Sequence, residues 1–302
     1  MATLHIIGNG FDLAHGILST YMDFEKYAWS HSSHNSYYLE VLENCYPQKN
    51  KEGRLILWSD LEYALGNLNF RQAFSLGTED IEQEEDHEFR YQAQMEDAPE
   101  YMLRDMFTIF HELFEDWVNS INIESDPLTN ILHFDSKGLF LSFNYTETLE
   151  SIYNITRNNI RYLHGRRKSN DKLIVGHCNN IDGKNYLPKD PAIYEYQAYQ
   201  GIADVVNGER KNVTDIISKN NDFWQQLFNI DKVVVYGHSL SDVDRPYFKQ
   251  VANSIKQSSE WYFSIYYHNS QERIKEDEKV SNMIKYMGIM QNKCHTFQMQ
   301  DE

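Results

Sequence analysis

The stretch Leu4–Gly16, LHIIGNGFDLAHG, decides the fold of this chain. A short apolar run leads directly into Gly8, Asn9 and Gly10, and a helical pattern follows. A glycine just after a strand lets the backbone approach a phosphate closely, and the amide groups at the start of the next helix favour anionic charge. The stretch therefore predicts the opening strand–turn–helix unit of a nucleotide-binding α/β fold. A tight structural turn explains the same glycines, and that alternative stays open.

The same stretch argues against an ordinary nicotinamide dehydrogenase. Phe11 and Asp12 follow the second glycine, and the third glycine of the dinucleotide fingerprint is missing. The acidic residue expected about 20 positions later should close a second strand, but Tyr21–Trp29 has a helical pattern. Asp12 could cap the helix or bind a ribose hydroxyl.

Short apolar runs that end at a polar residue or a glycine recur along the chain and predict further strands. They are Gly138–Phe143, Ile160–Leu163, Leu173–Val175, Lys232–Tyr236 and Trp261–Tyr267. Continuous apolar runs suit strands that are covered on both faces, as in a parallel sheet. The fold class predicted is α/β, with a Rossmann-like, mostly parallel sheet flanked by helices.

Helical patterns dominate the segment from Tyr21 to Asp135, which we interpret as a large helical insertion after the first βα unit. The predicted domains are a nucleotide-binding α/β core over 1–20 and 136–302 and a helical insertion over 21–135 packed on it. Helices are predicted over Leu61–Leu68, Tyr101–Trp117, Thr146–Tyr153, Val243–Ile255 and within Glu195–Asn221, with a surface loop over Ile181–Pro191. The acidic run Glu79–Asp86 is predicted to be a solvated helix face or loop.

Composition narrows the classes of partner. The formal net charge of −17 opposes nonspecific nucleic-acid binding, which relies on clustered Lys and Arg. No apolar run approaches the roughly 20 residues that a membrane helix needs, and no basic segment precedes the first apolar stretch as in a secretory signal. The isolated cysteines Cys45, Cys178 and Cys294 give neither a disulfide framework nor a zinc pair. We expect a cytoplasmic protein without a metal.

Asn144 lies in SFNYTETLE, where a predicted strand gives way to a helix. Its amide both donates and accepts hydrogen bonds, so it could hold a sugar hydroxyl and a water together. A helix N-cap is the alternative role of Asn in this setting.

His164 lies in RYLHGRRKSN, at the end of another predicted strand. Its imidazole titrates near neutral pH and could accept a proton from a sugar hydroxyl or water, although a lone histidine is more often structural. Arg166 and Arg167 follow closely enough to contact phosphates.

The stretch Val233–Phe248, VVVYGHSLSDVDRPYF, predicts a second phosphate- or ribose-binding turn. It is not the nucleophile elbow G-x-S-x-G, because residue 241 is Ser. Ligands of open α/β sheets bind outside the carboxyl ends of the strands. All four segments fall at predicted carboxyl ends, so we predict one shared ligand site.

These stretches resemble the AbiH-type abortive-infection family of bacterial phage-defence proteins. The matching segments spread over most of the chain: IIGNGFDLAHG, WSDLEYAL (Trp58–Leu65), LSFNYTETLE, YLHG, LIVGHCN (Leu173–Asn179) and YGHSLSDVDRPYF. The family in turn resembles the sirtuin-like NAD-binding fold, in which comparable strand ends surround the dinucleotide.

The resemblance implies NAD or a related nucleotide as ligand and cleavage of the nicotinamide–ribose bond as the reaction. It assigns Asn144 to orienting water and ribose and His164 to acting as general base. The residues that it implies for binding the dinucleotide are Gly8, Asn9, Gly10, Phe11, Asp12, Arg166, Gly237, His238, Ser239 and Ser241. A toxic enzyme of this kind must be held inactive until infection, and homo-oligomerisation could supply that control.

Two alternatives remain beside the enzyme. Thr146 stands where sirtuin-like sites commonly carry Asp, which favours a sensor that binds a nucleotide without turnover and acts through a partner. The acidic residues and the defence context suggest a nuclease as a further alternative, but the lack of a clear paired-carboxylate metal motif and the net charge of −17 weigh against it. Sirtuin deacylases carry a four-cysteine zinc module, which three scattered cysteines cannot build. We therefore do not expect protein deacylation.

Overall fold

The computed structural model describes residues 2–32, 36–83, 87–123, 134 and 138–299. Among these residues the strands are β1 (Thr3–Ile7), β2 (Leu139–Ser142), β3 (Ile160–Tyr162), β4 (Lys232–Tyr236), β5 (Glu260–Ser264) and β6 (Cys294–Phe297). They form one parallel sheet in the order β3-β2-β1-β4-β5-β6. This is the doubly wound strand order of dinucleotide-binding folds, and it confirms the predicted parallel α/β fold.

The helices of the described residues are α1 (Asn9–Ala14), α2 (Tyr21–His31), α3 (Ser36–Cys45), α4 (Leu61–Leu65), α5 (Phe70–Thr78), α6 (Glu88–Ser120), α7 (Thr148–Tyr153), α8 (Ile193–Gly208), α9 (Val213–Lys219), α10 (Asn221–Gln226), α11 (Arg245–Ser254) and α12 (Ser270–Met287). The predicted helical character after the first βα unit is confirmed over the described part of 21–123. The rest of that prediction, 124–133 and 135, and residues 84–86 of the acidic run lie outside the described residues.

The chain divides into two compact units. Unit 1 comprises Met1–Ser19, Val118–Ile174 and Asn212–Glu302, and unit 2 comprises Thr20–Trp117 and Val175–Lys211. The sheet belongs to unit 1. The predicted domain boundaries stay a prediction, and contacts within the structure group Val175–Lys211 with unit 2.

Successive residues of a strand point to opposite sides of the sheet, and in β1, β2 and β4 the residues on both sides are buried. Leu4 and Ile6 of β1 join one apolar cluster with residues of α9 to α12, and Ile7 joins a second cluster with Phe11 and Leu149. Burial of both faces explains why these strands are continuous apolar runs.

Unit 2 is organised around an aromatic cluster. The ring of Phe24 on α2 lies 5.2–5.7 Å from the rings of Trp58, Phe110, Phe114 and Trp117. Aromatic pairs at these distances contribute beyond the area they bury, so the cluster joins α2 to α6 and to the turn before α4.

The structure differs from the predicted strands at two places. Leu173–Val175 is not a strand; Ile174 instead donates to the carbonyl of His164 at 2.9 Å and accepts from Tyr145 Oη at 2.9 Å. These isolated bonds satisfy the segment without a ladder. The edge strand β6 was not predicted, because its His295 and Thr296 are exposed and polar.

None of the described helices has the length and apolar character needed to cross a membrane.

Candidate functional site

The strands that precede the four predicted binding segments all end at the same level of the sheet. Ile7 is in register with Ser142 and with Tyr236, and Ser142 is in register with Tyr162. Each of these residues ends its strand. The predicted site residues Asn9, Asn144, His164 and His238 each follow this row by two positions. The parallel register therefore brings all four predicted segments to the same carboxyl edge.

The turn after β1 packs directly on the turn after β4. Gly10 donates its amide to the carbonyl of Gly237 at 2.7 Å, and Gly8 donates to the carbonyl of Tyr236 at 2.9 Å. A Cβ on Gly8 would lie 2.5 Å from Cα of His238, and one on Gly10 would lie 2.8 Å from Cα of Gly237. Both glycines are therefore required for this close approach.

The amide of Phe11 also donates within the turn, to the carbonyl of Gly8 at 2.9 Å. Three backbone amides of the predicted phosphate loop thus already have carbonyl partners, and the role of this loop in binding phosphate stays a prediction. The exposed Asn9 is held by Ser19, whose hydroxyl donates to Asn9 Oδ1 at 2.7 Å.

Asp12 is buried in a network of hydroxyl donors. Thr146 Oγ1 donates to one carboxylate oxygen at 2.5 Å, and Thr148 Oγ1 donates to the other at 2.8 Å. Burial raises the pKa of Asp12 above its usual value, and hydrogen bonds from Thr146, Thr148 and Asn144 offset only part of that effect. Sequence reasoning singled out Asp12 and Thr146 separately and missed their contact across 134 positions.

Asn144 is buried between the ends of β1 and β2. Its side-chain Nδ2 donates to the carbonyl of Gly8 at 3.1 Å, and its backbone N–H donates to Ser142 Oγ at 3.2 Å. The alternative role as a helix N-cap is wrong, because the N-cap of α7 is Glu147. Oδ1 of Asn144 is buried and has no hydrogen-bond partner among the described residues. A buried acceptor of this kind suits a hydroxyl or water of a ligand.

His164 and His238 approach the same carboxylate. His164 Nε2 lies 3.8 Å from Asp244 Oδ1, and His238 Nε2 lies 3.5 Å from Asp244 Oδ2. The ring of Phe143 lies against both imidazoles, with centroids 5.4 Å from His164 and 4.4 Å from His238. The strand ends of β2, β3 and β4 thus build one buried cluster around Asp244.

No role for Asp244 was predicted from the sequence. The available signal was the spacing of Ser241 and Asp244, because the serine hydroxyl donates to the carboxylate at 3.2 Å. Ser239, by contrast, is exposed. No group of His, Cys, Asp or Glu side chains among the described residues has an arrangement that could hold a metal ion.

Arg166 and Arg167, predicted together to contact phosphates, differ in the structure. Arg167 is buried and forms a two-pronged ion pair with Glu147, with nitrogen–oxygen distances of 2.6 and 2.9 Å. Although burial acts to raise the pKa of Glu147, hydrogen bonds from Arg167 bring it below the usual value. Arg167 is therefore committed to holding the segment after β2. Arg166 is half-buried, and its Nε has no hydrogen-bond partner among the described residues.

The residues of the remaining motifs around Asp60 and His177 lie in unit 2. Asp60 caps α4 by accepting from the backbone amide of Tyr63 at 3.3 Å. Glu62 pairs with the ammonium of Lys211, whose side chain is fully buried. A buried ion pair costs desolvation and is retained only with good geometry. These residues support unit 2 itself.

The loop at His177 is also structural in its contacts. His177 Nε2 lies 2.8 Å from the carbonyl of Val206, and Asn179 Nδ2 donates to the carbonyl of Gly66 at 2.8 Å. Burial lowers the pKa of His177, which favours the neutral ring.

The sequence matches the family model described as "Bacteriophage abortive infection AbiH" over residues 4–266. The matched range includes all four segments at the carboxyl edge of the sheet and both motifs of unit 2. Among curated proteins and among solved structures, none matches the chain.

Proposed function

Because the chain belongs to the AbiH family of bacteriophage abortive-infection proteins, we propose that it acts in phage defence by hydrolysing the nicotinamide–ribose bond of NAD. Asn144 orients the attacking water and the ribose, and His164 accepts the proton of that water. The observation that carries the proposal is the approach of His164 Nε2 to within 3.8 Å of Asp244 Oδ1, at the same edge of the sheet as the buried Oδ1 of Asn144, which has no hydrogen-bond partner among the described residues.

The reaction suits these two side chains. The bond from ribose C1′ to the ring nitrogen breaks, nicotinamide leaves as a neutral molecule, and the sugar passes through an oxocarbenium-like state. The water oxygen bonds to C1′ and its proton goes to the imidazole, so the protein mainly positions water and stabilises developing positive charge. An amide oxygen contributes to both tasks, and a carboxylate behind the histidine stabilises the imidazolium that forms.

Three backbone amides of the first turn already have carbonyl partners, so we assign the binding of NAD to other groups. Arg166 supplies a cation beside the end of β3, and Ser239 and Ser241 supply hydroxyls after β4 for the adenosine side. Asp12 takes no direct part in proton transfer here, because both of its oxygens accept from threonine hydroxyls.

The test is release of nicotinamide from NAD by the purified full-length chain, followed by chromatography. We expect Asn144→Ala and His164→Ala to lower the rate by about 10²- to 10⁴-fold, with circular dichroism unchanged. The exposed residues Asn253 and His268 supply matched controls of the same types in unit 1, and Asn253→Ala and His268→Ala should keep the wild-type rate. Equal rates for site and control variants, or no release with phage-infected extract added, would refute the hydrolase.

A nucleotide-binding sensor is the second candidate function. Two points favour it: the sirtuin resemblance leads us to expect Asp where the chain has Thr146, and Asn144 and His164 expose only 5% and 3% of their surface. Such burial leaves little room for turnover without rearrangement. Calorimetry that shows NAD bound by the wild-type chain and recovered intact would select the sensor over the enzyme.

A further inference from the structure

The cluster at the ends of β3 and β4 has one carboxylate between two imidazoles. Asp244 directs Oδ1 toward His164 Nε2 and Oδ2 toward His238 Nε2, so each oxygen faces a different ring. The side chains of the two histidines and of Asp244 are 3–8% exposed. In such a site, water screens the charge of the carboxylate poorly, and its effect on both rings is strong.

The backbone fixes the protonation of His238. The amide of Leu240 donates to His238 Nδ1 at 2.9 Å, so Nδ1 is an acceptor and a neutral ring carries its proton on Nε2, toward Asp244. Leu240 adopts φ = +57°, a left-handed conformation that a leucine rarely takes. The turn thus accepts an unfavourable backbone at the position that supplies this donor.

We propose that Asp244 is the positioning residue of His164: its carboxylate holds the proton on Nε2 of both His164 and His238, so that a neutral His164 presents Nδ1 as its basic nitrogen. The carboxylate also stabilises the imidazolium that forms when Nδ1 takes up a proton. The catalytic consequence rests on the proposed function, whereas the protonation pattern depends only on this cluster.

The groups that face His164 come from three elements besides its own. Asp244 supplies the charge, His238 shares that carboxylate, and the phenol rings of Tyr145 and Tyr247 lie with centroids 6.5 and 5.9 Å from the imidazole. Phe143 contributes only an apolar edge. Asp244 is therefore the group whose neutralisation should change the titration of His164 most.

The primary experiment is nitrogen-15 NMR of the full-length chain labelled at histidine, recorded through a pH titration. We expect wild-type His164 and His238 to show the Nε2–H tautomer. Asp244→Asn should lower the midpoint of the His164 titration by about one pH unit or more, because the imidazolium loses its carboxylate. Asp242→Asn is the matched control, since Asp242 is exposed in the same segment and pairs with Arg245.

The tautomer of the wild-type chain decides the proposal even if Asp244→Asn does not fold. An Nδ1–H tautomer at His164, or a midpoint that Asp244→Asn leaves where Asp242→Asn leaves it, would overturn the assignment. Asp244→Glu keeps the charge and should retain a midpoint above that of Asp244→Asn.

A rate measurement separates this inference from the proposed function. If the chain hydrolyses NAD, Asp244→Asn should lower kcat by roughly 10²-fold with a smaller change in KM, and should shift the acid limb of the pH profile to lower pH. If the wild-type chain has no such activity, the hydrolase is refuted while the NMR result still decides the positioning role.

Discussion

Two buried aspartates at the same edge of the sheet have different surroundings. Asp12 accepts from the hydroxyls of Thr146 and Thr148, whereas Asp244 lies within 3.8 Å of two imidazoles. Neutral donors leave the cost of burying the charge partly uncompensated, and the pKa of Asp12 is raised. Imidazoles instead exchange protons with their surroundings near neutral pH. The comparison supports a structural role for Asp12 and fits the positioning role that we propose for Asp244.

The turn at Gly237 connects the surroundings of Asp12 with those of Asp244. Of the substitutions considered, Gly237→Ala should therefore destabilise the protein most. Gly237 has φ = +60°, and a Cβ there would lie 2.2 Å from the amide nitrogen of Phe11. We expect a loss of about 4 kcal/mol or more in the free energy of unfolding, measured by urea denaturation. The surviving folded protein should also show an altered His238 resonance.

Gly16→Ala is the control for backbone conformation alone. Gly16 has φ = +73° and nothing within 4 Å of a built Cβ, so its substitution should cost only about 1 kcal/mol. If the two variants lose the same amount, the packing of the two turns is not what Gly237 provides, and the regions are less tightly joined than the contacts indicate.

Thr146→Val should change the surroundings of Asp12 without changing those of Asp244. The variant keeps the shape of the side chain but removes the hydroxyl that Asp12 accepts from, and a buried carboxylate that loses a donor costs about 2 kcal/mol. Because Asp244 has its own partners, the titration of His164 should not move. Thr156→Val, at an exposed threonine of the same unit, should leave both measurements at their wild-type values. A shift of the His164 midpoint in Thr146→Val would show that the two aspartates act as one network.

The sequence supported much of the fold because buried parallel strands have a strong local signal. The runs at β1 to β5 are largely apolar, and each ends at a glycine or a polar residue. CHTF of β6 has no such pattern, because its central residues His295 and Thr296 are polar and exposed. Leu173–Val175 is short and apolar, but Ile174 forms only isolated hydrogen bonds, to His164 and Tyr145, and local pattern alone does not reveal that.

The candidate site was predictable as a location and not as a set of contacts. A parallel sheet brings strand ends together, so Asn144 and His164 could be placed at one edge. Which side chains meet there depends on packing between distant segments, as for Asp12 with Thr146 and for His164 with Asp244. The roles of Arg166 and Arg167 also separate only in three dimensions, because Glu147 takes one of the two guanidinium groups.

Asp12→Asn should have the smallest effect at neutral pH and the most specific pH dependence. The amide has nearly the shape of the carboxylate and no charge to bury, so we expect a change of about 1 kcal/mol or less at pH 7. Because the pKa of Asp12 is raised on folding, the folded chain keeps this proton to higher pH than the unfolded chain does. The folded state then binds more protons in that interval, and stability falls as pH rises through the raised pKa.

Urea denaturation at a series of pH values measures this effect as the wild-type free energy of unfolding minus that of Asp12→Asn. The difference should be most favourable to wild type in acid and should decline as pH rises from the usual pKa of an aspartate through the raised pKa of Asp12. Other carboxylates cancel in the subtraction, and the same subtraction with the exposed Asp242→Asn should be flat. A difference that instead grows with pH would mean that Asp12 is stabilised as an anion, and the two aspartates would then share one role.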